Sequence, residues 1–303
     1  MDVQIGPLTP AHRAAAVALF VASHPERADE PADWDDASRW PRRFGSVTGS
    51  TLIGYGALWP VRPGKFRLDL VVASERRRRG VGGRILERLT ADALASGALT
   101  LQARADDDRG ESLAFLRHRK FAETIRMHRF ALDIARANLE PFAGVERRLV
   151  SEGIEFTTLD DELRRRGEAC WVDVCDVFNA SREGWPDPDP SEAEPSTPDD
   201  VRRLHEQLSR RWPQPCLLAA QGEQYVGFAG PFGTGVRPAM RGRGIATALK
   251  VRAIAAARQR GESRLSSSSA NPAMLRVLER LGYERTGTEV RLVRALHAGG
   301  GVA

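Results

Sequence analysis

Residues 236–250 read VRPAMRGRGIATALK, with Arg237, Arg241 and Arg243 crowded at the start of a helical pattern. Cations there oppose the positive end of the helix dipole. The arrangement makes chemical sense when an anion sits on the helix start, held by backbone N–H groups that lack an intrahelical acceptor. Gly242 and Gly244 let that backbone approach closely, having no Cβ. The amides of Arg243, Gly244, Ile245, Ala246 and Thr247 are the expected anion nest, and arginine side chains would add charge-assisted bonds to a phosphate. Residues 72–86, VASERRRRGVGGRIL, carry the same chemistry. There Arg77 and Arg78 lead into a nest of Arg79, Gly80, Val81, Gly82 and Gly83. No Gly-Lys-Ser/Thr follows either loop, which excludes a Walker phosphate loop. No acidic residue ends a following parallel strand where a dinucleotide fold needs one.

The two stretches share one register. Val72 matches Val236, Arg77 matches Arg241, Arg79 matches Arg243 and Gly80 matches Gly244, each pair offset by 241 − 77 = 164. The offset persists through Gly97 and Gly261, each placed to end a helix, and through Leu101 and Leu265. A third match to R-x-x-G-x-[GA], Arg164 to Ala169, follows the acidic LDDEL and reads as accidental. The chain is therefore two copies of one domain, 1–138 and 139–303, divided near RANLEPFAG.

The elements that position the loops follow from periodicity. In the first copy VQIGPLT reads as a strand, PAHRAAAVALFVAS as a helix, and ADWDDASRW as a second helix. STLIGYGALWP and KFRLDLVV form a hairpin around Pro63–Gly64. After the motif helix come strand ALTLQAR, a helix near 111–119 and strand AETIRMHRFALDI. The second copy gives strand IEFTTL, a helix over 161–179, helix DDVRRLHEQLSRR, and strands CLLAAQ and QYVGFAG. The motif helix, strand SRLSSSS, helix PAMLRVLERLG and strand YERTGTEVRLVRAL close it. Residues 184–200 read as an insert loop and AGGGVA as a frayed tail.

TGVRPAMRGRGIATALK followed by NPAMLRVLERLGY resembles the GCN5-related N-acetyltransferase (GNAT) superfamily, over nearly the whole chain. The tandem arrangement is similar to two-domain members such as mycothiol synthase. The resemblance implies an α/β fold with two GNAT-like domains, each a mixed, mostly antiparallel sheet with splayed central strands flanked by helices. It implies acetyl-coenzyme A in the gap, its pyrophosphate on the loop amides. Its pantetheine arm would pair with the strand before the loop, at Leu70, Val71 and Val72 or at Gly235 and Val236. Asn271 matches a helix asparagine of the family; Arg109 stands there in the first copy.

The chain departs from the family pattern at several places. The helix tyrosine that can protonate the departing thiolate is replaced by Leu116 and Leu278. Tyr283 falls on the aromatic after the helix, a packing position. The first copy has Ser74 where the second has Pro238, and Glu75 beside its loop. In the second copy only PFGTG separates strand QYVGFAG from the loop, so its pantetheine strand is short. An acetyl transfer needs a base to take a proton from the acceptor's ammonium. Asp69, on the strand before the first loop, is the best-placed acid, against the alternative of a solvent-facing strand carboxylate. His118 and His128 lie near the first cleft and read equally as surface residues.

Composition bounds the remaining readings. The chain has 303 residues, 42% hydrophobic and 28% charged, as in globular proteins. The apolar run AAAVALFVA is too short to span a bilayer, and no secretory signal is visible. Three cysteines, Cys170, Cys175 and Cys216, match no zinc spacing and no disulfide framework. The expected compartment is the cytoplasm, with no metal and no membrane partner. The charge of +5 and pI near 9.5 raise the question of nucleic acid. Only three of 45 basic residues are lysine, Lys65, Lys120 and Lys250, and arginine is spread along the chain, so no nucleic-acid face is expected. The function expected is transfer of acetyl from acetyl-coenzyme A to a small-molecule amine. The alternative is a non-catalytic acetyl-coenzyme A sensor or scaffold. The second copy is expected to hold coenzyme A at least as tightly as the first.

Overall fold

A computed structural model describes residues 4–25, 42–48, 51–182 and 195–296. Its strands are β1 (Gly6–Pro7), β2 (Arg42–Thr48), β3 (Thr51–Arg62), β4 (Lys65–Val72), β5 (Thr100–Asp106), β6 (Ala122–Asp133), β7 (Ile154–Thr158), β8 (Leu217–Gln221), β9 (Gln224–Gly230), β10 (Gly233–Val236), β11 (Arg264–Ser269) and β12 (Glu284–Ala295). Its helices are α1 (Arg13–Ser23), α2 (Val81–Ala95), α3 (Gly110–His118), α4 (Ala143–Ser151), α5 (Leu159–Arg166), α6 (Cys170–Ser181), α7 (Pro198–Arg211), α8 (Ile245–Gln259) and α9 (Pro272–Arg280). The chain is a mixed α/β fold, its sheets flanked by helices. Among the described residues no helix is long and apolar enough to cross a membrane.

The main elements fall where the periodicity puts them, with local differences. The first expected strand is reduced to Gly6–Pro7. The expected helix 161–179 is broken at Gly167, whose φ of 64° ends α5. That glycine belongs to the third R-x-x-G-x-[GA] match, which is thus a helix end and not a helix start. The periodicity predicts neither strand β2 nor helix α4. β2 opens with two arginines and is a strand because it pairs along β3, from Arg42↔Leu58 to Thr48↔Thr51. The expected helix at 32–40, most of the insert 184–200 and the tail lie outside the described residues.

One compact unit comprises residues 1–124 with 290–303, the other residues 125–289. In the first, strands run β1-β2-β3-β4-β5 with the end of β12 beside β5. All pairings through β4 are antiparallel. β4 and β5 run parallel and share only Lys65↔Thr100, Phe66↔Leu101 and Arg67↔Gln102. Beyond Arg67 they diverge, and that opening is the splay the family resemblance implies. Ile85 and Leu89 of α2 lie close over β3 because Gly54 and Gly56 offer no side chain. A Cβ on Gly56 would stand 2.6 Å from Leu89 Cδ1 and 2.7 Å from Ile85 Cγ2. Each such fully buried side chain contributes about 1.5–3 kcal/mol.

In the second unit one sheet runs β10-β9-β8-β7, antiparallel throughout. Here β10 is the edge strand, paired on one side only among the described residues. β11 belongs elsewhere, antiparallel to β6 from Arg264↔Asp133 to Ser269↔His128. β10 and β11 therefore share no hydrogen-bonded pair, and the second splay is complete where the first is partial. α8 covers β8 and β9 through Ile245, Ala248 and Leu249, with Gly227 receiving Ile245 Cγ2 as Gly54 receives Ile85.

Candidate functional site

The two loops are the same structure built twice. Val72 and Val236 end their strands, and 3₁₀ turns follow at Ser74–Arg76 and Pro238–Met240. Arg77 Nε donates to the Val72 carbonyl at 3.2 Å, and Arg241 Nε donates to the Val236 carbonyl at 3.2 Å. These arginines brace the loop against its own strand. Gly80 (φ 82°) and Gly244 (φ 92°) are the N-caps of two 15-residue helices, in the left-handed region that other residues enter at a cost. The first bond of α2 runs from Arg84 N to Gly80 O, and that of α8 from Ala248 N to Gly244 O. Ahead of them the amides of Val81, Gly82 and Gly83, and of Ile245, Ala246 and Thr247, have no intrahelical acceptor. Gly97 (φ 78°) and Gly261 (φ 74°) end the helices alike.

The loops differ in what flanks them. The first is open: a Cβ on Gly80 would meet nothing within 4 Å. Arg79 is exposed, and Arg78 lies 3.9 Å from Glu111. Arg78 holds φ 61° where the second copy has Gly242 at 78°. Glu75 is exposed, accepts from the Ser74 hydroxyl at 3.1 Å, and is held below the usual carboxylate range by a backbone hydrogen bond and then by Ser74. A Cβ on Gly82 would lie 3.4 Å from Phe115 and 3.5 Å from Val72, and one on Gly83 would lie 3.0 Å from Arg119 Nη2.

The second loop has α4 on its side. A Cβ on Gly244 would lie 3.1 Å from Val145 and 3.3 Å from Arg148 Nη2. Arg148 donates to the Arg243 carbonyl at 2.6 Å and to Glu152 at 2.7 Å, while Arg243 Nη2 meets Glu152 at 2.6 Å. Glu152 is accordingly held low, first by Arg243 and then by Arg148. Arg237 is paired with Asp176 and donates to the Tyr225 carbonyl at 2.7 Å. Arg241 reaches the Ser181 carbonyl at 3.2 Å as well.

The strands before the loops present their residues differently. Leu70 and Val72 lie on the α2 face and Val71 on the α1 face of β4. On β10, Val236 packs toward α8. Gly235 packs against α6, where a Cβ would collide with Ser181 Oγ and sit 2.6 Å from Phe228. Asp69 stands on β4 just past the last pair shared with β5. Its carboxylate accepts from Trp59 Nε1 at 2.8 Å and faces Arg104 Nε at 3.7 Å. Arg67 lies over the Trp59 ring at 5.6 Å.

The other expected residues lie on elements outside the two loops. Asn271 is the N-cap of α9, accepting from Ala273 N (2.9 Å) and Met274 N (3.3 Å). Arg109 N-caps α3 with no side-chain bond to its amides. Leu116 and Leu278 are buried. Tyr283 is buried among Phe142, Leu278 and Leu281, and burial pushes its phenol up to about 12. His118 is exposed, and His128 Nδ1 lies 3.2 Å from Thr288 Oγ1. Among the described residues no His, Cys, Asp and Glu cluster could hold a metal ion.

Comparison with known proteins settles the family. The sequence profile of the acetyltransferase (GNAT) family matches residues 11–121 and again 171–283. The chain belongs to the GNAT acetyltransferase family. Its fold is similar to a GCN5-related N-acetyltransferase from Sphaerobacter thermophilus, with TM-score 0.72 and 17% identity over 99% of this chain and 97% of that one. It is similar also to a tandem GNAT protein from the clavulanic acid biosynthesis pathway, with TM-score 0.68 and 16% identity over 97% and 98% of the two chains. A glucosamine N-acetyltransferase region of a fungal multi-domain GH3 β-N-acetylglucosaminidase gives TM-score 0.73 and 14% identity, over 97% of this GNAT chain and 38% of the fungal one. No curated protein matches the sequence significantly.

Proposed function

We propose that this GNAT protein transfers an acetyl group from acetyl-coenzyme A to the amine of a small-molecule acceptor. The observation that supports it best is the duplicated nest, a left-handed glycine N-cap opening a helix beside two diverging strands. The donor set suits a bound acyl-coenzyme A. Free helix-start amides and arginines match a pyrophosphate, and the unpaired edge of β10 matches a chain of amides. Thr234 Oγ1 on β10 is buried without a hydrogen-bond partner among the described residues, as expected of a strand that receives a ligand.

In this reading Arg79 to Gly83 and Arg243 to Thr247 hold the phosphates, and the β4 and β10 edges orient the pantetheine arm. The bound donor supplies an activated thioester. Asp69 takes the proton of the acceptor's ammonium in the first copy, with Trp59 and Arg104 fixing its carboxylate. The second copy holds coenzyme A at least as tightly. Its Gly242 enters the left-handed turn without the strain carried by Arg78, and Arg148 and Arg243 set two cations against the single Glu152 carboxylate beside the loop. Each charge-assisted phosphate bond contributes about 1.5–3 kcal/mol, against about 0.5–1.5 for a neutral strand bond. The shorter β10 therefore costs less than a poorer nest would.

Binding without turnover is the competing reading, favoured by buried leucines at both family tyrosine positions. Free-thiol release from acetyl-coenzyme A over a panel of amines separates the two. Amine-dependent release is expected, and tight binding with no release on any amine would sink the catalytic reading.

A further inference from the structure

We propose that Lys250 donates the proton to the departing thiolate in the second copy, where Leu278 cannot. This rests on the acyl-transfer reading above. At the offset of 164, Thr234, Lys250 and Ser267 occupy the places of Leu70, Leu86 and Ala103. In the first copy those three belong to one hydrophobic cluster, together with Leu116. The second copy has thus exchanged a converging apolar trio for a hydroxyl, an ammonium and a hydroxyl, a costly exchange in a core unless the groups find partners.

The individual contacts agree. Lys250 Nζ lies 3.4 Å from Ser267 Oγ on β11, a long hydrogen bond. Gly235 faces α6, so its neighbour Thr234 points to the opposite, α8 face of β10, and its Oγ1 is buried without a partner. Lys250 stands one turn beyond Ala246 on α8, about 9 Å of helix past Gly244. Polar groups on β10, α8 and β11 thus line the gap between two strands that do not pair. Two of them are satisfied poorly or not at all.

Four charged or titratable groups on the surrounding elements are engaged elsewhere. Arg237 pairs with Asp176, Arg252 with Glu146, and Arg280 lies over Phe142. His128 on β6 meets Thr288. Burial, with no carboxylate beside it, lowers the Lys250 ammonium to about 8, so it holds its proton at neutral pH and gives it up readily.

The step balances. The acceptor nitrogen bonds to the carbonyl carbon and the carbon–sulfur bond breaks with its electron pair on sulfur. Sulfur then takes a proton from Lys250. The acylated nitrogen loses one proton to solvent, and solvent reprotonates Lys250.

The test titrates the thiol of bound coenzyme A by thiolate absorbance, beside free coenzyme A, in a Gly80→Glu chain that leaves only the second nest. A neighbouring ammonium stabilises the thiolate, so the bound thiol should titrate about one pH unit or more below the free one. Lys250→Met should abolish the shift and Lys250→Arg should keep it; Lys250→Gln replaces the methionine variant should that one not fold. An unshifted thiol, a shift that survives in Lys250→Met, or loss of binding on Gly80→Glu alone overturns the proposal. No binding to the unaltered chain would instead overturn the acyl-coenzyme A reading itself.

Discussion

Lys250 is a half-buried cation where the first copy has Leu86, and its charge has a measurable consequence whatever its chemistry. Burial lowers its pKa from 10.5 to about 8. Between those values the unfolded chain holds a proton that the folded chain has released, so stability rises with pH across that window. Below about 8 the folded state carries the full cost. Lys250→Met should therefore be more stable at pH 7, by at most about 3 kcal/mol and less where water reaches the half-buried side chain. The advantage should vanish by pH 10.5. Urea unfolding of both chains at the two pH values checks this, and a pH-independent difference would show that the ammonium is solvated. The loop glycines, by contrast, are legible from sequence, because a helix-start nest is a local arrangement of Gly and Arg. The brace that Arg241 Nε makes to the Val236 carbonyl is less so, because spacing places the arginine without naming its backbone partner.

At the scale of elements, β10 is four residues long and is pressed on by α6. Gly235→Ala should cost about 1–3 kcal/mol by overpacking against Ser181 and Phe228, and the loss should appear as a lower urea midpoint with unchanged slope. A cost near zero would mean that α6 moves aside. The strand–loop–helix order of both copies is readable because it lies in one continuous stretch with alternating and then helical periods. The flank that α4 lays on the second loop is not. Glu152 and Arg243 are 91 positions apart, and nothing in the local pattern of AGVERRLVS says which helix start it will meet. Strand β2 escapes for a similar reason, since pairing with β3 and not its own alternation makes it a strand.

Over the whole molecule, the sequence repeat and the compact units are different divisions of the chain. Val290 and Leu292, from the end of the second repeat, are fully buried in the cluster that holds Ile85 and Leu89. Leu292→Ala should cost about 2–5 kcal/mol, and amide exchange should quicken in α2 and not in α8. Equal quickening in both would contradict the division at residues 124 and 290. That division is invisible to periodicity, which places a strand without naming its partner. The central claim, that two helix-start nests bind acetyl-coenzyme A, is tested most directly by isothermal titration of the full chain. The unaltered protein should bind. Gly244→Glu should lose more affinity than Gly80→Glu, and the double variant should lose binding altogether. No binding to the unaltered protein, or unchanged binding to the double variant, would contradict the account.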